Sequence, residues 1–359
     1  MPTNGSMDTS PILAFVDCGI DSSASAEGGP GRVPAPERRE VIINGKRVKT
    51  VDVHAHCIVP EAAELINHSL EAPGLLWSNI NDRLAQMDQT GVDVQALSIN
   101  PYWYEAERGA VAEFIRVQNE ALAEFCASQP DRFVAFATAA LQYPDLAVEQ
   151  VEQAVKKLGF RGIGVGGSVA GEELSDPKFH PFWSKCEELG VLVFMHPLGT
   201  RELEPSGRLA GSGILTNTIG NPLETTIALS HLIFEGTLDR FPCLKICASH
   251  GGGFLPSYAN RSDAVITTFP GRVGPLPKKK PTEYIRGGQL YFDSIMFTDE
   301  GMRHLIAEAG IDHVILGTDY PFPWNTAPVD HIMSIPGLSD EDRIKILGGT
   351  VAKLLGIEG

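Results

Sequence analysis

The stretch Thr50-Val-Asp-Val-His-Ala-His56 is the starting point for interpreting this chain. Its apolar run from Val51 to Val53 predicts a buried strand, which ends in two histidines spaced two residues apart. Because alternate residues of a strand face the same side, His54 and His56 are expected to project together. Two imidazoles on one face supply half of a site for zinc or a neighbouring first-row divalent metal. The other ligands must come from other strand ends.

Short apolar runs alternate with helical patterns along the rest of the chain. The runs lack strict polar alternation, which is typical of parallel strands buried on both faces. Eight such strands alternating with helices predict an α/β fold, a (β/α)8 TIM barrel, with a doubly wound sheet as the weaker alternative. The predicted strands are 50–54, 94–99, 133–139, 161–165, 191–195, 244–249, 290–293 and 313–317, after a small hairpin at 41–46. The helical patterns are 79–90, 109–129, 145–158, 179–189, 222–235 and 299–309.

The chemistry of such a barrel gathers at the carboxyl ends of its strands. The fifth, sixth and eighth predicted strands end in His196, His250 and Asp319. We therefore predict one divalent metal ion, with zinc expected, bound by His54, His56, His196 and Asp319. His250 is expected to act as acid and base beside the metal. Ligation by His250 as a fourth imidazole is the open alternative, and both readings place it in the site.

Four further residues are candidates for contacting a substrate. Trp103 and Trp324 follow the ends of the second and eighth predicted strands, where they are expected to line the substrate pocket; packing on the barrel is the alternative. Arg83 lies in the helical pattern before the second strand, and Arg261 lies eleven residues beyond His250. From spacing alone, a solvated face or an ion pair is the default interpretation of either arginine.

The composition excludes several kinds of partner. Of 359 residues, 43% are hydrophobic and 21% are charged, and the formal net charge is −16. This acidic balance argues against nucleic acid or an anionic membrane as a partner. No apolar run approaches the ~20 residues that a membrane span requires. The six cysteines show no paired metal-finger spacing, which favours a reduced, cytoplasmic protein.

The start of the chain differs from the rest. It is rich in Gly, Ser, Pro and Ala, and it lacks the basic start and long apolar core of a signal peptide. We expect residues 1–45 to form an N-terminal extended arm and residues 46–359 to form the barrel domain.

Four motifs carry most of the information about family. They are Asp52-Val-His-Ala-His56, Met195-His-Pro197, Ser249-His-Gly-Gly-Gly253 and Ile315-Leu-Gly-Thr-Asp-Tyr-Pro-Phe-Pro323. Together they resemble the amidohydrolase superfamily, specifically its 2-amino-3-carboxymuconate-6-semialdehyde decarboxylase-like branch. The resemblance covers roughly residues 48–357. It implies a (β/α)8 barrel with one catalytic metal, usually zinc and in some members manganese, held by the four ligands named above.

The same resemblance implies roles for the other candidates. His250 matches the acid and base of that decarboxylase, and Arg83 and Arg261 match arginines that hold a substrate carboxylate. Arg261 would do so across a dimer interface, which implies at least a homodimer. However, Leu198 stands where the semialdehyde enzyme is expected to have tryptophan, and the segment 100–104 also differs from that enzyme. The exact substrate therefore stays open.

Two activities are consistent with these residues. The first is metal-dependent, non-oxidative decarboxylation of an aromatic or ring-cleavage-derived unsaturated carboxylic acid, without an organic cofactor. The alternative is a metal-dependent hydrolase or hydratase of the same branch, acting on an unsaturated keto acid or a related carbonyl substrate. A barrel that has lost its chemistry is disfavoured because the ligand set is complete.

Overall fold

The structure is a computed structural model that describes residues 38–68, 75–76, 80–200, 203, 205–270, 274 and 276–358. Eight strands of this part form one sheet in which all neighbours run parallel. Residues 1–37 of the expected arm lie outside the described residues. In order around the sheet, the strands are β3 (Val51–His56), β4 (Val94–Ser98), β5 (Phe133–Ala137), β6 (Gly162–Val165), β9 (Leu192–Met195), β10 (Lys245–Ala248), β11 (Leu290–Asp293) and β12 (Val314–Ile315).

The sheet closes on itself between β3 and the segment that follows β12. Val53 donates its backbone N–H to the carbonyl of Leu316 at 2.9 Å, and Asp319 donates its backbone N–H to the carbonyl of His54 at 2.8 Å. This closure confirms the predicted (β/α)8 barrel and excludes the doubly wound alternative, in which the two edge strands stay apart.

The helices confirm the predicted alternation. The six predicted helices begin and end within one residue of the predicted bounds wherever the structure describes both. Gly159 and Gly190 end two of them in the left-handed conformation that favours glycine. The six are α2 (Ile80–Thr90), α3 (Arg108–Ser128), α4 (Pro144–Leu158), α5 (His180–Leu189), α6 (Asn221–Phe234) and α10 (Asp299–Ala309).

Further helices were not predicted from the sequence. They are α1 (Pro60–Leu65), α7 (Thr237–Arg240), α8 (Leu255–Thr268), α9 (Pro281–Ile285), α11 (Pro328–Ser334), α12 (Asp340–Ile344) and α13 (Thr350–Leu355). Most are only four to seven residues long, too short for a clear hydrophobic period, so their sequence signal is weak. Within the described ranges, every helix is too short or too polar to serve as a bilayer span.

Two small hairpins stand outside the barrel. The predicted one pairs β1 (Val41–Ile43) with β2 (Lys46–Val48) in antiparallel register, and Asn44 and Gly45 turn the chain with positive φ. Its two strands lie on either side of the boundary expected between residues 45 and 46. The other pairs β7 (Ser168–Val169) with β8 (Glu172–Glu173), between β6 and α5.

The floor of the barrel mouth is aromatic. Phe136 on β5 and Phe194 on β9 stack with ring centroids 5.2 Å apart. The ring of His54 meets Phe194 edge-on at 5.0 Å. The polar strand ends therefore lie directly above a closed apolar interior, where their polar atoms must find partners.

Candidate metal centre and active site

The four predicted metal ligands meet at the carboxyl end of the barrel. His54 and His56 end β3, His196 follows β9, and Asp319 follows β12. All four are buried, and their donor atoms lie within 4.8 Å of one another. The Nε2 atoms of His54 and His56 are 3.0 Å apart, and Asp319 Oδ1 lies 3.0 and 3.2 Å from His56 Nε2 and His54 Nε2. Donors about 2.0–2.1 Å from one zinc ion are about 3.3 Å apart at tetrahedral angles, so these three separations match those around one divalent ion.

Each imidazole has its other nitrogen engaged. His54 Nδ1 lies 2.6 Å from Asp293 Oδ2, and His196 Nδ1 donates to the carbonyl of Pro197 at 2.8 Å. His56 Nδ1 lies 3.5 Å from the hydroxyl of Ser98. Partners at Nδ1 fix the tautomer of a ligand histidine and leave Nε2 unprotonated for the metal. The three Nε2 atoms are thus directed at the cluster.

The electrostatics of the cluster also favour the binding of a cation among these four residues. Burial lowers the pKa of His56, and it lowers the pKa of His196 well below its ordinary value, so both rings are neutral ligands. Burial opposes ionisation of Asp319, but the charge of His54 and several hydrogen bonds hold the Asp319 pKa far below its usual range. Burial likewise lowers the pKa of His54, yet Asp319 and Asp293 outweigh it and raise that pKa to about 10. Without metal, a proton on His54 therefore supplies positive charge to the cluster.

His250 lies beside this cluster and is more exposed than its neighbours. Its side chain is 17% exposed, and its Nε2 lies 3.9 Å from Asp319 Oδ2. Its ring centroid lies 5.3 Å from that of His54 and 5.2 Å from that of His196. Its φ is 53°, and the three glycines that follow also have positive φ. A non-glycine residue in this region costs about 1–3 kcal/mol and is found most often at functional sites.

Asp52 organises the backbone around the site. Its buried carboxylate accepts the N–H of His54 at 3.0 Å, and it accepts both the N–H and the hydroxyl of Thr318 at 3.0 and 2.6 Å. Gln95 donates to the same carboxylate at 3.1 Å. Burial raises the pKa of Asp52 to about 6, although these hydrogen bonds oppose the rise. Asp52 thus ties β3 to the residue before Asp319 and does not contact an imidazole nitrogen.

The structure corrects the expected role of Arg83. This side chain is 2% exposed, and its guanidinium donates to the carbonyl of His56 at 2.5 Å and to Gln95 Oε1 at 3.1 Å. It also lies over the ring of Tyr320, 4.1 Å from the centroid. Arg83 supports the backbone of a ligand residue and is not presented to a substrate. The direction of a helical side chain depends on packing, which its position in the sequence does not reveal. The sequence analysis also did not identify Gln95 as part of the site. Its polar side chain inside an otherwise apolar strand was the feature that could have indicated it.

The two tryptophans predicted to line the pocket lie in different environments, one buried and one exposed. Trp103 is fully buried and donates its Nε1–H to the carbonyl of Ala139 at 2.9 Å, so the expectation that it lines the pocket is wrong. It packs in the core because the loop after β4 folds inward. Trp324 is 45% exposed and stacks on Phe322 at 6.0 Å, and Phe322 faces the ring of His56 at 6.0 Å. Trp324 therefore stays near the mouth, with Phe322 between it and the cluster.

Arg261 lies on the outer surface of α8. It is exposed and makes no hydrogen bond or ion pair with the residues that the structure describes. Three exposed apolar side chains accompany it, at positions three before, four after and eight after: Tyr258, Val265 and Phe269. Tyr258 and Val265 share the face of Arg261 on α8, and Phe269 follows the last residue of the helix, Thr268.

The fold and the site together define a class of protein, the (β/α)8 barrels with a divalent metal site at the carboxyl ends of their strands. The family model described as amidohydrolase matches residues 51–357. The chain therefore belongs to the amidohydrolase family, as its motifs predicted.

Within this family, the chain is similar to several proteins named as decarboxylases. The chain is 31% identical over 279 residues to a 2-amino-3-carboxymuconate-6-semialdehyde decarboxylase from Dictyostelium discoideum, covering 77% of this chain and 76% of the relative. It is 28% identical over 330 residues to a gamma-resorcylate decarboxylase from a Rhizobium species, covering 86% and 98%. A crystal structure of a dihydroxybenzoic acid decarboxylase from a Polaromonas species, with bound manganese and the inhibitor 2-nitroresorcinol, matches with a TM-score of 0.73 and 26% identity, covering 86% of this chain and 97% of that one.

Proposed function

We propose that this protein is a metal-dependent, non-oxidative decarboxylase of an aromatic or ring-cleavage-derived unsaturated carboxylic acid. The proposal is carried by the pairing of a buried four-ligand cluster with His250, a partly exposed imidazole 3.9 Å from Asp319. The names of the relatives support it, because the Dictyostelium, Rhizobium and Polaromonas proteins are all decarboxylases.

The metal is proposed to be one zinc ion held by the four clustered residues: His54, His56, His196 and Asp319. Three neutral nitrogens and one carboxylate are ordinary zinc ligands. Manganese is the alternative, because the Polaromonas enzyme contains it. When bound, the ion polarises the substrate oxygen adjacent to the carboxylate.

His250 is proposed to move the proton. It delivers a proton to the carbon that bears the carboxylate, and a C–H bond forms there. The bond between this carbon and the carboxylate then breaks, its electron pair returns to the unsaturated system, and CO2 leaves. An imidazole suits this task because it can both take up and release a proton. The proton from His250 withdraws electrons, and a cation held by the four clustered residues would add to this effect, so no organic cofactor is required.

The substrate is proposed to contact Trp324 and Arg261. Trp324 is exposed near the mouth, whereas Arg261 has no contact with the cluster in its own chain. Tyr258 and Val265 on the face of Arg261, and Phe269 just beyond the end of α8, are exposed apolar side chains. Such a surface is suited to a second copy of the chain. In a homodimer, Arg261 near the interface would offset the charge of a small carboxylate substrate in the neighbouring site.

The organisation of the chain is proposed as follows. Residues 46–359 form the catalytic barrel domain, and residues 1–45 form an arm without a part in the chemistry, whose strand β1 pairs with β2 and adds stability to that domain. A cytoplasmic location is supported by cysteines that carry no disulfide among the described residues, namely Cys57, Cys126, Cys186, Cys243 and Cys247.

The test is CO2 release by metal-loaded protein from a panel of hydroxybenzoates, aminobenzoates and carboxymuconate semialdehydes. We expect release that is lost on chelation and restored by zinc or manganese. If no CO2 is released, the same samples are tested with an unsaturated keto acid. Addition of water to this acid, or its hydrolytic cleavage, would establish the hydratase or hydrolase instead.

A further inference from the structure

Asp293, at the end of β11, touches both halves of the site. Its side chain is fully buried, and Oδ2 lies 2.6 Å from His54 Nδ1 and accepts the backbone N–H of His250 at 3.0 Å. Oδ1 accepts the backbone N–H of Gly251 at 2.9 Å and that of Ile295 at 3.2 Å. One carboxylate is thus shared between a metal ligand and the proposed proton donor.

The contact with His54 fixes a tautomer. A carboxylate accepts hydrogen bonds and donates none, so Nδ1 of His54 must carry the proton and Nε2 must be free for the metal. The two residues meet where Gly317 lacks a side chain, since a Cβ there would lie 2.9 Å from Asp293 Cβ and 3.1 Å from His54 Cβ.

The hydrogen bonds from the His250 turn to Asp293 offset the free-energy cost of the unfavourable backbone conformation of His250. His250 and Gly251 have φ values of 53° and 63°. Their successive N–H groups converge on the Asp293 carboxylate, as in the concave anion sites formed by consecutive backbone amides. The carboxylate therefore supplies the partner that holds His250 in the left-handed region and directs its ring at the cluster.

We propose that Asp293 is a positioning residue that sets the tautomer of His54 and the backbone of His250 at once. It acts through these two residues and does not itself contact metal or substrate. The predicted effect of Asp293 on activity rests on the proposed decarboxylase function. The predicted effects on the His54 tautomer and on metal affinity do not depend on that function.

Replacement of Asp293 by Asn is the informative change. An amide has one accepting oxygen and one donating nitrogen, so it cannot satisfy His54 Nδ1–H and all three backbone N–H groups together. If its nitrogen faces His54, it donates to Nδ1 and forces the proton onto Nε2, which blocks the metal. Asp52→Asn is the matched control, because Asp52 is equally buried and contacts the backbone N–H of His54 but neither its ring nor His250.

The experiment is 15N-histidine NMR of protein loaded with 113Cd, combined with metal-affinity titration by chelator competition. In the unchanged protein we expect His54 to couple to cadmium through Nε2 and to carry a downfield Nδ1 proton. We expect D293N to lose that pattern and about 10–100-fold in metal affinity, while D52N keeps the pattern. Unchanged coupling and affinity in D293N would overturn the proposal. Should D293N fail to fold, cadmium coupling through Nδ1 in the unchanged protein would overturn it.

Kinetics provide the second readout. At saturating metal, D293N should lower kcat tenfold or more and leave KM within about twofold, because the positioning of His250 acts on the transition state. An unchanged kcat at saturating metal would refute the His250 half of the proposal. If the unchanged protein releases no CO2, the proposed function fails, and the NMR and affinity results still decide the role of Asp293.

Discussion

The raised pKa of His54 gives the cluster a specific dependence on pH. With its pKa raised from 6.5 to about 10 by Asp319 and Asp293, against the effect of burial, His54 in the metal-free protein is protonated at neutral pH. A metal ion needs the neutral ring, so metal and proton compete for this residue. The same shift adds stability to the metal-free fold, fully present below about 6.5 and lost as pH rises through about 10.

We therefore expect metal binding to release one proton from His54 at pH 7. The apparent metal affinity should rise with pH until about 10, because below that pKa the folded, metal-free protein holds the proton on His54. Calorimetric titration in buffers of different ionisation enthalpy measures the proton release directly. Metal affinity independent of pH over this interval, with no proton released, would contradict the assignment.

At the residue scale, the sequence predicted the ligands better than it predicted their surroundings. His54, His56, His196 and Asp319 could be found because barrel geometry brings strand ends together whatever the loops do. Arg83 could not be placed, because its direction depends on how α2 packs against the barrel.

Among the elements, α2 and α8 carry the two arginines that were expected to share one role. Arg83 on α2 is buried against His56 and Gln95, whereas Arg261 on α8 is exposed. Removing a buried donor leaves its acceptors unsatisfied, which costs about 1–3 kcal/mol for each group. Removing an exposed side chain changes stability by about 0.5 kcal/mol or less.

Arg83→Ala should therefore lower the free energy of unfolding by about 2–4 kcal/mol. Urea unfolding of the metal-free protein measures this effect, with Arg261→Ala as the matched control. The control should keep the unfolding midpoint and raise KM for a carboxylate substrate. Equal midpoints for Arg83→Ala and the unchanged protein would contradict the structural role of Arg83.

The elements themselves were largely predictable. Long periodic segments such as α3 and α4 match the prediction, because a sustained period of 3.6 has few alternatives. The loop after β4 could not be predicted. The sequence does not reveal that Trp103 is buried there and donates a hydrogen bond to the carbonyl of Ala139.

For the whole molecule, the boundary of the barrel domain is testable by truncation. Val41 and Ile43 are buried in the core, and Arg38 pairs with the buried Asp93 at 2.6 Å. A variant without residues 1–37 should keep full activity and stability, because these contacts remain. A variant without residues 1–45 loses β1 and should be less stable by about 3 kcal/mol or more, since each buried aliphatic side chain contributes about 1.5–3 kcal/mol.

Thermal unfolding and CO2 release compare the two truncations. Equal stability of both variants would show that β1 adds no stability to the barrel domain. Loss of activity in the shorter truncation, with the fold intact, would give the arm a part in the chemistry.

The central claim is that His250 moves the substrate proton beside a metal that it does not bind. The most direct measurement is turnover and metal content of His250→Asn, with the exposed His304→Asn as the control. We predict that His250→Asn retains one metal ion per chain and loses turnover, while the control keeps both. Loss of the metal would make His250 a ligand, and retained turnover would exclude it as the proton donor; either result would contradict the account.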